Sequence, residues 1–599
     1  MYTVKQMNRK TNGWKWSSKV FQQVLYRVGL LVVFSGVGMA MQSDQFPTRD
    51  LHPEAGVAYQ GVADGGVAVA GDWCMVAAEG FGSNDRPLFI EGAIRAFRKS
   101  SEGWNLGQLI RPGISWDGQG FGRSLSMSGD VLVVGAEQYG LTIRPQVSGA
   151  ALGRAYVYHL VGEEWQYVQA LEPRLFGGGG IHGESYGLGG AVVTDGNQIL
   201  VSAIDQGYAG AGTMSGTVYS YVRDSSGGWV LDQLITAPSH SQLQGVQALF
   251  GMTLALEDDL LAVGTIETFS EGVVLLYRRG ANGWQFEHEF ALPFNDFISA
   301  HWGRHVEIDQ GRVVISYVGG DTTPFRDGLW FYEQNGAGGW VNTGSLRSSG
   351  LGLEPSDFPY FGNDFEIDGD WLLVGAPGSN VGSAANAGRA VLYHDDAGAG
   401  WTEVRRFRNA DQPVHLPAGS GLGYRVSMDL EQGVMVGTGP FYQECAPGNS
   451  FYCTIGGAYL FDFEKGDRFC GQGNNSLGIR SQLTVTGSLS VGENNFILHG
   501  YDMPQGEFAV AVYGQEGPPF PIATGGNLCL TGGSVIHRVQ PALLVGESGE
   551  VYLDLDLAAP VQASSLLPGT TWGLQLWHRD QVGGMSTTNM SNAVRVTLQ

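Results

Sequence analysis

From residue 57 onward the chain is a succession of short apolar runs broken by polar turns, with the period of strands. Residues 123–128, 131–135, 154–160 and 165–171 are rich in β-branched and aromatic side chains and predict four consecutive strands. The same run of elements then recurs. An aromatic–Gly pair stands at Phe121-Gly122, Tyr186-Gly187, Phe250-Gly251, Trp302-Gly303 and Phe361-Gly362, with Leu422-Gly423 as a weaker sixth, at intervals of 65, 64, 52, 59 and 61 residues. A tight polar turn and an apolar strand follow each pair, as in residues 129–136 (GDVLVVGA) and 369–377 (GDWLLVGAP). The first copy begins at residues 71–78 and has lost its upstream pair.

Two more markers run in phase. One is a Gly opening a strand that ends in an aromatic, at 92–97, 153–158, 216–221, 272–277, 328–332, 388–393 and 457–461. The other is a Trp at the head of a strand: Trp104, Trp165, Trp229, Trp284, Trp340 and Trp401. Three markers in register over seven copies establish an internal repeat. A lone four-stranded sheet cannot bury both faces, whereas sheets stacked around a ring can, and closing the ring removes long free edges. The expected fold is therefore all-β, a seven-bladed β-propeller of four-stranded blades. The seventh copy lacks a fourth strand, and the segment between Gln42 and Tyr59 is expected to supply it and clasp first blade to last.

Past Cys470 the repeat stops. Strand-like runs at 482–491, 495–499, 508–513, 551–557, 572–577 and 593–598, punctuated by Gly, Pro and Asn, predict a C-terminal β-sandwich domain. The expected boundaries are a signal peptide over 1–40, the propeller over 41–466 and the sandwich tail over 467–599.

The copies resemble FG-GAP repeats, the units of the integrin α-subunit propeller and of many exported bacterial proteins. The resemblance covers roughly residues 57–463 and is carried by Phe361-Gly362 followed by Val374-Gly375-Ala376-Pro377. It implies a propeller that binds a partner or a glycan and is not catalytic. Many members hold calcium in a DxDxDG loop. Here that interval has shrunk to turns such as Ser128-Gly129-Asp130 and Asp368-Gly369-Asp370. Asp195-Gly196-Asn197 and Asp309-Gln310-Gly311 offer too few side-chain oxygens for a hard cation, so neither calcium nor another cofactor is expected.

Composition changes the picture in three places. Gly supplies 93 of 599 residues, well over twice the usual ~7%, which fits a turn-rich β protein. Net charge is −24, and residues 1–40 carry six bases and no acid, so the remainder is more acidic still. Such a surface repels phosphate backbones and excludes nucleic acid as a partner. The basic N-terminus, the apolar run at 28–39 and the small residues Gly38 and Ala40 read as a secretory signal. Export to the cell surface or medium is expected, with no membrane insertion after signal removal. Five cysteines agree with an oxidising compartment. The expected disulfides are Cys445–Cys453 and Cys470–Cys529, with Cys74 a buried thiol.

Catalytic motifs carry little weight. Residues 183–187 match GxSxG, but a strand, not a helix, is expected to follow, so no nucleophile elbow forms. His301 and His305 lack the helix that an HxxxH metal pair requires, and no metal site is expected. The long connections between strands two and three, and from strand four to the next copy, emerge on one face of the disc. Binding concentrates on such loops. Trp116, Tyr139, Phe176, His182, Tyr208, Asp321 and Tyr360 are the candidate ligand contacts. The expectation is an exported, non-enzymatic binding or adhesion protein that recognises an extracellular glycan or protein. A secreted polysaccharide hydrolase or lyase and a structural cell-surface module are the alternatives.

Overall fold

In a computed structural model the chain is all-β, with no helix among the described residues. Described are residues 48–50, most of 62–461 and most of 467–598. Residues 1–47 and, among the connections, 79–91, 113–119, 138–152, 174–186, 205–215, 239–248, 266–271, 319–326, 349–359, 409–420 and 445–451 lie outside them.

Seven antiparallel sheets have four strands each. The first six follow chain order, beginning at Val62–Ala70, Phe121–Ser128, Leu188–Thr194, Thr253–Glu257, His301–Asp309 and Phe365–Asp368. The seventh takes Leu422–Asp429, Gly433–Thr438 and Ala458–Phe461 from one end of the repeat region and Thr48–Asp50 from the other. Thr48, Arg49 and Asp50 pair with Phe461, Leu460 and Tyr459, so the N-terminal segment does complete the last sheet. The first strands touch in chain order, and that of the seventh sheet touches that of the first, so they ring a common axis.

The repeat markers are the joints of this ring. Phe121, Phe250, Trp302 and Phe361 are fully buried, and each meets edge-on the aromatic that ends the third strand of its own sheet: Tyr158, Tyr277, Tyr332 and Tyr393. Tyr158 and Tyr277 then donate their hydroxyls to Arg111 O and Thr236 O of the preceding sheet's exit. The Gly that opens the third strand is where neighbouring backbones touch. Gly153 bridges to Leu188, and a Cβ there would lie 2.1 Å from Leu188 N and 2.2 Å from Leu188 O. This bridge also corrects the alignment of the third copy. Its counterpart of Phe121-Gly122 is Leu188-Gly189, two residues beyond Tyr186-Gly187; Leu188 fills the buried aromatic's place.

The outer strands are joined by a device that the sequence reading missed. Gln108 of the first sheet receives Trp165 N–H and donates to Trp165 O, binding the second sheet as a strand neighbour would. Gln169 does the same to Trp229, and Gln233 to Trp284. The signal is a Gln four residues after the Trp, present at Trp104, Trp165 and Trp229 and replaced by His288, Gly344 and Arg405 in later copies. Trp104, Trp165, Trp229 and Trp284 are buried at these joints, so the Trp row is packing and not a stacking platform.

Beyond residue 466 a six-stranded sheet runs in the order Asp467–Phe469, Met585–Thr597, Thr571–Val582, Phe508–Gly514 and His537–Arg538, with Leu543–Leu544 also paired to Phe508–Gly514. A three-stranded sheet runs through Gln482–Gly487, Phe496–Tyr501 and Val551–Asp554. One apolar cluster draws on both, including Leu483, Leu498, Leu553, Ala511, Leu576 and Val594. Cys470–Cys529 is a disulfide. Cys74 is buried and outside any disulfide. Cys445 lies outside the described residues, so its pairing with Cys453 does too; Cys453 itself sits opposite Gln443 in a hairpin. Tyr501 donates its hydroxyl to Val404 O, which ties this part of the chain to the sixth sheet.

Candidate functional site

Of the predicted ligand contacts, Trp116, Tyr139, Phe176, His182, Tyr208 and Asp321 lie outside the described residues. Tyr360 is described: it is 37% exposed and has a φ of 47°. Gly120, Gly187 and Gly421 hold the same place, directly before the buried residue of their copies, and share its positive φ. A tyrosine in a backbone slot suited to Gly costs about 1 kcal/mol, and Leu249 holds the same slot before Phe250 with a φ of 40°.

The structure adds a cluster on the axis. In the second, fifth and seventh sheets the first strand bulges after the marker Gly: pairing with the second strand shifts between Phe121 and Leu125, Trp302 and Val306, and Leu422 and Arg425. Gly303 and Gly423 have φ of 75° and 86°, where other residues are strained. A bulge re-aims the side chains it carries. Here these are Arg123 of the second sheet, Arg304 and His305 of the fifth, and Tyr424 and Arg425 of the seventh; Asn363 and Asp364 hold the same place in the sixth, just before its first strand. All lie at the end where the long connections enter.

These groups act on one another across the axis. Burial lowers the Arg304 pKa, the charges of Arg425 and Arg123 lower it further, and Tyr424 and Asp364 oppose them. The Arg425 guanidinium lies 5.3 Å from the Tyr424 ring centre, and its Nε is buried with no hydrogen-bond acceptor. Arg123 pairs with Glu137 at 3.2 Å. His305 stands between two acids, Nε2 2.9 Å from Glu307 Oε1 and Nδ1 3.1 Å from Asp364 Oδ1. Burial alone would lower the imidazole pKa, but Asp364 and Glu307 reverse this and raise it. Asp364 Oδ2 also accepts Val426 N–H at 2.9 Å, and Asn363 donates to Tyr424 O at 3.0 Å. Glu366 accepts Met428 N–H at 2.6 Å; burial first, then Glu307 and Asp364, hold its pKa well above the carboxylate range.

The opposite end of the axis is acidic, and its carboxylates grip backbone. Glu257 accepts Gln310 N–H and Gly311 N–H at 2.6 and 2.8 Å, Asp309 accepts Gly369 N–H at 3.0 Å, and Asp429 accepts Gly71 N–H at 2.9 Å. Each bond ties one sheet to the turn of the next. Asp195 is likewise engaged by Asn197 N–H and Gln198 N–H. The shortened turns thus spend their oxygens on the backbone. Among the described residues no group of three or more His, Cys, Asp or Glu is placed to hold a metal ion.

A pH dependence follows. The Asp309 pKa is pushed up to about 6, first by burial and then by Glu257 and Asp368, against the pull of the Gly369 N–H. A carboxyl raised in the folded state favours folding while protonated, and that contribution is lost as pH rises from about 4 to about 6. The raised imidazole of His305 has the same sign, losing its contribution as pH climbs from the ordinary imidazole value through its raised folded value. Relative to Asp309→Asn, wild type is therefore expected to gain melting temperature as pH falls from about 6 to about 4. Asp309 should contribute on the order of 1 kcal/mol after solvent screening. Thermal melts of wild type and Asp309→Asn test this; a slope unchanged by the substitution refutes the assignment.

Motifs weighed in the sequence find their places. The strand Leu188–Thr194 directly follows Gly187, so the GxSxG match does not lead into a helix. His301 and His305 share a bulged strand, His301 exposed and His305 in the axial cluster.

No family model and no curated protein matches the chain. Among solved structures it is similar to an assigned 6-phosphogluconolactonase of Bacteroides uniformis at 11% identity and TM-score 0.36, covering 57% of this chain and 84% of that one. It is also similar to a periplasmic gluconolactonase of Pseudomonas aeruginosa at 14% identity and TM-score 0.35, covering 59% and 86%. A third is Sqt1 of Saccharomyces cerevisiae at 12% identity and TM-score 0.33, covering 73% and 94%. The expectation that the chain is not an enzyme is corrected here, because structures it resembles include lactonases. Neither their substrates nor their catalytic residues are carried over to this chain.

Proposed function

We propose that this is an exported recognition protein of the FG-GAP type, with a seven-bladed propeller over 41–466 and a β-sandwich over 467–599. It binds a surface glycan or protein at the long-connection face. The cyclic contact of the first strands supports the propeller, and the core shared by the two C-terminal sheets supports the sandwich. The Cys470–Cys529 disulfide supports export. The observation that carries the function is the convergence of Arg123, Arg304, Asp364, Tyr424 and Arg425, from four sheets, at the end of the axis where that face opens.

The test is binding of the full chain to an array of glycans and matrix proteins, with Tyr360→Gly beside wild type. The expected outcome is a saturable hit that Tyr360→Gly weakens, while the substitution raises stability by about 1 kcal/mol through relief of the positive φ. A blank array refutes the reading. Glu366 and His305 favour a second reading, acid–base chemistry on the bound glycan, because they hold protons above the usual ranges for their types. Release of shorter products from a bound glycan would establish a polysaccharide hydrolase or lyase.

A further inference from the structure

We infer that the axial cluster is a binding site for a single anionic sugar, a carboxylate- or sulfate-bearing residue on a glycan. This rests on the long-connection face being the binding face.

Three guanidiniums reach the axis from the second, fifth and seventh sheets, each from the bulge that follows the marker Gly or Leu422-Gly423. Among the described residues Arg304 has no ion pair or hydrogen bond, and Arg425 has no ion pair. Asp364 is near, but its two oxygens are taken by His305 and Val426 N–H. Half-buried like charges at close quarters destabilise one another unless an anion sits among them. The guanidinium fork matches a carboxylate or sulfate in a bidentate manner.

The rest of the molecule narrows the ligand. A net charge of −24 repels polyanions at long range, so a polymer charged at every unit is disfavoured. At this end Glu137 pairs with Arg123, and Asp364 and Glu307 with His305. What remains attractive is the Arg304 and Arg425 pair, which has no ion pair among the described residues and is fit for an isolated charge carried by an otherwise neutral chain. An acidic peptide spreads its charge along its length and matches this site less well.

The experiment is calorimetric titration of the full chain with four probes: an oligosaccharide ending in glucuronic acid, its neutral glucose-terminated counterpart, the same oligosaccharide ending in glucose 6-sulfate, and a hexaglutamate peptide. At least one acidic sugar should bind ten-fold or more tighter than the neutral one, with affinity falling as salt rises. The two acidic arms tell carboxylate from sulfate. Arg304→Gln and Arg425→Gln should each lose ten-fold or more of that affinity. At low salt without ligand, Arg304→Gln should raise the melting temperature by about 1–2 °C, since it removes a repelling charge; a purely structural arginine would lower it. Equal binding of neutral and acidic sugars, unaffected by Arg304→Gln but lost in Tyr360→Gly, overturns the anion site and leaves the face intact. Failure of all four probes overturns the anion site, and the array separately decides the face. Preference for hexaglutamate overturns the sugar assignment.

Discussion

A chain lacking residues 42–56 is expected to melt at least about 5 °C lower than the full chain and to aggregate on heating. Thr48–Asp50 is the outer strand of the seventh sheet. Its loss leaves the Ala458–Phe461 edge without a partner, and exposed edges recruit other chains. It also breaks the backbone ladder that, among the described residues, joins the two ends of the repeat region. A ring whose sheets each lean on two neighbours is weakened at every joint when one opens. The control replaces residues 42–47 with Gly and Ser and keeps 48–50; its melt should match wild type. An unchanged melt in the deletion would show that packing of the first strands alone holds the ring shut.

The second large effect is at Gly153. Ala there would place a Cβ 2.1 Å from Leu188 N, on a backbone with φ of 72°. Neither atom can yield without parting the second sheet from the third. We expect Gly153→Ala to cost more than about 4 kcal/mol, or to abolish soluble protein. Gly162 is the comparison: its φ is 65°, but nothing lies within 4 Å of its Cβ position. Gly162→Ala should cost only about 1 kcal/mol, the strain of the backbone alone. Chemical denaturation of the two variants separates crowding from strain. Equal losses would remove the argument that close approach at the sheet joint, and not backbone freedom, selects Gly at residue 153.

These joints are why the architecture was legible. A buried aromatic, a Gly with no room for a Cβ and a Trp at an outer joint are each required by contact with the next copy, so they recur. Tyr186-Gly187 misled because the third copy uses Leu188 in the aromatic's place, which left a nearby aromatic–Gly pair as the better match. The axial cluster was not legible, for the opposite reason. The residues after the marker Gly repeat only a backbone bond to the carbonyl three residues earlier, which any side chain permits, and so they vary: Arg123, Gly190, Met252, Arg304, Asn363 and Tyr424. His305 and Asp364 are 59 residues apart and meet only because the first strands of the fifth and sixth sheets lie side by side. His301 and His305 drew notice as a pair, yet the partners of His305 are Glu307 and Asp364.

The glutamine joints have a consequence for motion. They tie the first four sheets through main-chain bonds at the rim, whereas the fifth is held there by Trp340 Nε1 on Glu287 and the sixth by Phe331 stacked on Trp401 at 5.6 Å. The rim is thus stitched to main chain along one arc and held by side chains alone where the fifth and sixth sheets join, and that arc carries His305 and Asp364. Local opening follows the weaker joints. Amide exchange should be slowest in Glu164–Leu171 and Trp229–Ile235 and faster in Trp340–Arg347 and Trp401–Arg408. The ring would then breathe on the side where a guest has to enter, with the stitched arc as its fixed frame.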